Sequence, residues 1–284
     1  MLNITGMKLY NKINKGLMLA LLAIAPIVIS CEKSLDINEN PNSAKTSKPE
    51  LVLPTGQVGA ALAMGDWEYI GSMWGQYWTG GPGVSTDGLE VYNMLGIAVE
   101  RSWTRAYALS LADLDFVAKG NQPIYAGMAR ISMVHLYQML TDFFGDIPMS
   151  EALKGAISDG SVLTPKYDTP EEVYARLIPM IDQAILELQT PESNSVKKPG
   201  AEDLIYAGDI DNWLAFANTL KLKVLVRQGK FTEAKSLMDS GVDFIGDSNP
   251  AGVKFNPGGA LSQAQCRARS RPVVSLREYP GNVT

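Results

Sequence analysis

Aromatic side chains crowd residues 64 to 107: Trp67, Tyr69, Trp74, Tyr77, Trp78, Tyr92, Trp103 and Tyr107, including four of the five tryptophans in the chain. Tryptophan and tyrosine join a flat apolar face to a polar edge, which suits a surface that binds ligand while staying partly wet. A sugar ring presents a matching C–H face and hydroxyls, so such rings fit a glycan platform. Helix–helix packing is the competing use, and it is the one expected for Trp103 and Tyr107, four residues apart. Trp78 and Tyr92 flank the run Gly80-Gly81-Pro82-Gly83 and are the better candidates for exposure. That run is no phosphate cradle: it lacks the Gly-Lys-Ser/Thr ending and follows no clear strand.

Little else in the chain is placed for catalysis. His135 is the sole histidine. It lies mid-helix in Met133-Val-His-Leu-Tyr137, where a core or helix-surface role is expected. A multi-histidine metal site is excluded, and there is no Gly-x-Ser-x-Gly elbow. Carboxylates are plentiful, but no pair is marked by spacing, and two-carboxylate glycosidase chemistry depends on separation in three dimensions. Asp113/Asp115 and Asp209/Asp211 carry the hard oxygens calcium prefers, yet helix caps and solvated faces are the expected roles. Cys31 and Cys266 form no CxxC. No catalytic residue, cofactor or metal site is expected.

The 284 residues carry a net charge of -5, unevenly spread. Residues 1–30 hold Lys8, Lys12 and Lys15 and no acid, leaving 22 basic and 30 acidic residues, a charge of -8, on the rest. An acidic body repels phosphate backbones, so nucleic acid is not expected as a partner. The lysines precede an apolar run from Leu17 to Ile29, broken only by Pro26. Thirteen helical residues span about 20 Å, short of the roughly 30 Å hydrocarbon core. A basic segment before a short apolar run reads as a secretory signal, starting at Met1 or at Met7. The run ends in Val28-Ile29-Ser30-Cys31, which looks like a bacterial lipobox: a branched residue at -3, a small residue at -1, then the cysteine that is acylated. A cleaved signal followed by an ordinary cysteine is the alternative. Several acyl chains on Cys31 would anchor the protein firmly without a span.

Helical periodicity governs the body. The spacing predicts helices over 57–78, 99–119, 123–144, 170–188, Trp213–Arg227 and Phe231–Asp239. Gly59, Gly65, Gly71 and Gly75 weaken the first of these. Thr169-Pro170-Glu171-Glu172 is the strongest start signal, with an N-cap, a proline at the first position and a glutamate at the third. Pro179 lies inside that helix and should kink it. Asp211 is expected to cap the helix that opens at Trp213. Short strands are expected at most at Val91–Met94 and Val253–Phe255. Gly229 to Met238 resembles the second half of a tetratricopeptide unit, pointing to stacked helix pairs.

Four segments, in order, resemble the SusD/RagB-type outer-membrane lipoproteins of Bacteroidetes. They are Leu35-Asp-Ile-Asn-Glu-Asn-Pro-Asn42 after Cys31, Leu140-Thr-Asp-Phe-Phe-Gly-Asp-Ile-Pro148 with Glu151-Ala-Leu153, Tyr167-Asp-Thr-Pro-Glu-Glu-Val-Tyr174, and Gly208-Asp-Ile-Asp-Asn-Trp213 through Leu220-Lys-Leu-Lys-Val-Leu-Val-Arg227. The resemblance implies a mainly α fold, a tetratricopeptide-like superhelix of helix pairs. It implies an acyl anchor at Cys31 on the outer membrane, facing outward, and a SusC-type TonB-dependent channel as partner. It also implies capture of oligosaccharides, or of peptides in some members, without catalysis. The ligand positions it carries over are Trp78, Tyr92 and Asn93. Family members are roughly twice as long, so the C-terminal half is expected to be incomplete. The pattern stops near Gly258, and residues 258–284 hold four of the nine arginines. That tail reads as disordered non-family sequence from a frameshift or broken gene, which translating the neighbouring frames would test, and the product itself could lack function. The resulting division is 1–30 signal, 31–56 tether, 57–257 helical domain and 258–284 tail.

Overall fold

The computed structural model describes residues 47–81, 83, 88–94, 96–155 and 162–253. The signal segment, Cys31 and the 258–284 tail lie outside the described residues. The chain is mainly helical: α1 (Pro49–Trp74), α2 (Ile97–Thr104), a π-helical stretch (Arg105–Leu111), α3 (Ala112–Ala118), α4 (Pro123–Phe144), α5 (Pro170–Leu188), α6 (Ile210–Arg227) and α7 (Phe231–Asp239). Among the described residues there is no strand, only an isolated antiparallel bridge between Ile147 and Asp168. The expected strand at 91–94 is replaced by a 3₁₀ turn, Leu89–Val91.

Neighbouring helices run in alternating directions, forming the stacked pairs of a tetratricopeptide-like array. Asp66 on α1 meets Arg105, while Gly56, near the start of α1, lies against Leu114. Arg130 at the start of α4 pairs with Glu187 at the end of α5 at 2.9 Å, and Tyr174 at the start of α5 donates to Asp142 at the end of α4 at 2.7 Å. Gly229, at φ 70°, turns α6 into α7. The core runs through the stack, with Leu111, Leu114, Met128, Ile131, Leu136, Leu140, Val173, Leu177, Ile181 and Trp213 all buried.

Two helix starts differ from the periodic reading. α1 opens at Pro49, not at 57, because a proline at the first position leaves unmade only a bond that has no partner anyway. Pro54 then stands inside the helix. α6 opens at Ile210, and its cap is Asp209, whose carboxylate accepts from Asn212 N at 3.1 Å; Asp211 sits within the first turn. α5 follows expectation: Thr169 Oγ1 accepts from Glu172 N and Glu172 Oε2 accepts from Thr169 N, a reciprocal cap that contributes about 1 kcal/mol.

Glycines that lower helix propensity here permit close packing. A Cβ on Gly59 would stand 2.8 Å from Leu109 O, and one on Gly127 would stand 2.9 Å from Ala184 O. Both helices therefore approach their neighbours backbone to backbone.

One buried carboxylate ties the two ends of the array together. Asp203 accepts from Ile205 N at 3.1 Å, Tyr206 N at 3.3 Å, Gly208 N at 2.9 Å, Trp213 Nε1 at 2.7 Å and Gln57 Nε2 at 2.8 Å. Gln57 completes the link by accepting from Leu204 N at 2.8 Å. Asp203→Ala leaves several buried donors unpaired at about 1–3 kcal/mol each, so a loss of about 3 kcal/mol or more is expected in urea denaturation. A loss below about 1 kcal/mol would show that these bonds do not hold α1 to α6.

Candidate functional site

The C-terminal end of α1 carries the exposed aromatic rings. Apolar spacing keeps Ile70 and Met73 buried on this last stretch. Leu89 inserts against them, with Met94 and Val99 packed alongside, and so pins the 88–99 segment to the helix end. Beyond Trp74 the backbone turns: Gly75 N donates to Gly71 O, and Tyr77 N and Trp78 N both donate to Ser72 O. Gly88, at φ 80°, lets the segment double back, with Asn93 N donating to Gly88 O at 3.0 Å. A Cβ there would lie 2.7 Å from Asn93 O. Glu90 accepts from Gly80 N and holds the glycine run against the 3₁₀ turn.

On this frame Tyr69, Trp74, Tyr77, Trp78 and Tyr92 are between 37 and 86 % exposed. They form two ring pairs, Tyr69 with Trp78 (centroids 6.4 Å apart, 52° between planes) and Trp74 with Tyr92 (6.2 Å, 57°). Tyr92 takes a left-handed backbone, φ 58°, rare for a bulky side chain, while its hydroxyl donates to Trp74 O at 3.0 Å. Strain held at an exposed ring is common where a ligand is to be met. Of the three positions carried over from the resemblance, Tyr92 and Asn93 lie on the 88–94 segment and Trp78 on the turn that ends α1, and Trp78 and Tyr92 belong to different pairs. Tyr69, Trp74 and Tyr77 complete the surface. Their residue types marked them as candidates; their exposure depends on where the neighbouring helices end.

The other aromatics serve the core. Trp67 is buried and stacks on Phe143 (5.5 Å, 24°), and Trp103 and Tyr107 pack together at 4.8 Å with Tyr107 Oη donating to Pro148 O. The acidic pairs also have structural roles: Asp209 caps α6 and Asp115 pairs with Lys119 at 2.6 Å. No cluster that could hold a metal ion occurs among the described residues. His135 lies on α4 edge-on to Phe216 at 5.9 Å, and Nδ1 is buried without a partner. Burial, with the charge of Lys223, pushes its pKa down to about 4.

Residues 41–263 match the family described as starch-binding and associating with the outer membrane, and the chain belongs to this SusD-like family. Its fold is that of a SusD/RagB family protein from Bacteroides thetaiotaomicron VPI-5482 (TM-score 0.56, 23 % identity, 72 % of this chain and 45 % of that one). It is likewise similar to a chitin-binding protein (TM-score 0.57, 23 % identity, the same shares of both chains). The chain therefore spans under half the length of these relatives. No curated protein matches it. No helix among the described residues is long and apolar enough to cross a membrane.

The histidine yields a sign-defined prediction. Its folded pKa lies below the unfolded value, so between about pH 6.5 and 4 the unfolded chain binds the extra proton. Stability should fall as pH drops through this window. Urea midpoints between pH 7 and 5, above most carboxylate titration, should decline in the wild type and stay level in His135→Gln. Parallel curves would sink this account.

Proposed function

We propose that this chain acts as a binding protein of the cell surface, capturing oligosaccharides on the aromatic surface and passing them to a SusC-type TonB-dependent channel. Acyl groups on Cys31 hold it to the outer membrane, and no catalytic step is involved. The observation that carries the reading is the set of five exposed rings fixed at the end of α1, held by Leu89 and the Ser72, Gly88 and Glu90 contacts. Pre-set rings lose little conformational entropy on meeting a sugar, so their stacking energy appears as affinity. Asn93, exposed beside Tyr92, adds an amide that can both donate and accept to sugar hydroxyls. Family membership supports the outer-membrane setting.

Isothermal calorimetry against a glycan panel, chitin and starch oligosaccharides included, tests the capture. Trp78→Ala and Tyr92→Ala should each weaken binding about tenfold, equivalent to about 1.4 kcal/mol. Trp103→Ala should lower stability instead, because that ring packs against the core. Unchanged affinity in Trp78→Ala, Trp74→Ala and Tyr92→Ala alike would sink the aromatic site. Labelled palmitate should enter the wild type and not Cys31→Ala, and the latter should be released from membranes. Equal labelling of both would remove the anchor from the account.

A further inference from the structure

A concavity of about 1150 Å³ opens between α1, α4, α6 and the segment 245–253. Trp78 is one of its lining residues. Two of the others carry unusual chemistry. His135 faces this space from α4 with neither ring nitrogen hydrogen-bonded among the described residues, and Nδ1 is fully enclosed. An enclosed polar atom with no partner costs about 1–3 kcal/mol and calls for a reason. Lys223 faces the same space from α6, half-buried, and no carboxylate among the described residues pairs with it.

The surrounding charges do not neutralise this lysine. Asp66 on α1 is already held by Arg101 at 3.0 Å and Arg105 at 2.6 Å. Burial lowers the lysine's affinity for its proton; Asp142 acts the other way, yet its carboxylate is taken by Arg227 at 3.0 Å and Tyr174 at 2.7 Å. Glu68 and Asp247 line the cleft but are exposed, so water screens them. Ser132, one turn before His135, donates inward to Met128 O at 3.0 Å, leaving its oxygen free to accept. The walls beside the two nitrogen groups are apolar, with Ala60, Met64, Phe216 and Leu220. A cation beside an unpartnered imidazole, in an apolar-walled cleft, is complementary to an anion of moderate size carried on a partly apolar body.

We propose that this cleft binds a small ligand through its carboxylate, which Lys223 meets as counter-ion and His135 meets with the N–H of its accessible Nε2. The carboxylate is either that of an acidic sugar or that of a short peptide's C-terminus. The cleft shares Trp78 with the aromatic surface, but the carboxylate is met by Lys223 and His135 and not by that ring, so neither claim rests on the other.

The single histidine makes the test unambiguous. In the full-length ¹⁵N-labelled chain, long-range imidazole correlations are followed during titration with D-glucuronate, with acetyl-dialanine, and with D-glucose as the uncharged control, all at one ionic strength. At least one acid should shift the His135 signals saturably and raise the midpoint of its titration, while glucose leaves both unchanged. Which acid does so names the source of the carboxylate. Lys223→Met should raise that midpoint without ligand, by removing a positive neighbour, and should weaken acid binding by roughly tenfold or more. The proposal is overturned if neither acid shifts His135 in the wild type, if glucose shifts it equally, or if folded Lys223→Met binds the acids as the wild type does. The wild-type titrations decide the matter even if the variant does not fold.

Discussion

The carboxylate of Asp203 is the constraint on which the array depends. It lies 2 % exposed and accepts hydrogen bonds from three backbone amides of its own turn, from the indole of Trp213 and from Gln57 across the molecule. Each donor would carry a desolvation penalty if left alone, so the turn, α6 and α1 are fixed to one another by a shared need for the same two oxygens. Helix pairs that otherwise contact only their neighbours gain a bond spanning 146 residues of sequence. That bond ties α1 to the 203–208 turn and, through Trp213, to α6, and the two helices with α4 line the cleft that contains His135 and Lys223.

The aromatic surface and the cleft use opposite means of being ready for a ligand. At the end of α1 the rings are held outward by backbone turns and one small apolar plug, Leu89 against Ile70 and Met73. The molecule keeps apolar surface in water there, which only a partner of matching shape repays. In the cleft the unmet groups are polar, the accessible Nε2 side of an imidazole and a lysine that no described carboxylate pairs, and a complementary charge would satisfy them. Both features lie at helix faces or ends that no other described element covers.

Much of the scaffold was legible in the sequence because its signals are local. α4 spans 123–144 and α5 spans 170–188 as the periodicity and the Thr169 cap require. Local signals also misled. Prolines at 49 and 54 hid the true start of α1, and of the glycines that argued against that helix, Gly59 proves to be a point of close approach to the π-helical stretch. Asp211 resembled a cap as well as Asp209 does; only the direction of the first free amide distinguishes them. Nothing local marked Gln57 and Asp203 as partners, since neither residue type nor spacing encodes a contact across the whole array.

The sequence by itself determined which segments are helical, where the strongest cap lies, and membership of the SusD-like family, because periodicity, capping chemistry and ordered motifs are properties of neighbouring residues. Only the tertiary structure decided which aromatics are free to bind. Trp67 and Trp74 are seven residues apart, on nearly the same face of one helix. The first is 1 % exposed and the second 40 %. Phe143 and Phe144 at the end of α4 cover Trp67; Trp74 is about two turns further along α1 and pairs with Tyr92. Exposure is set by where a distant helix stops, and that is a fact of packing rather than of pattern.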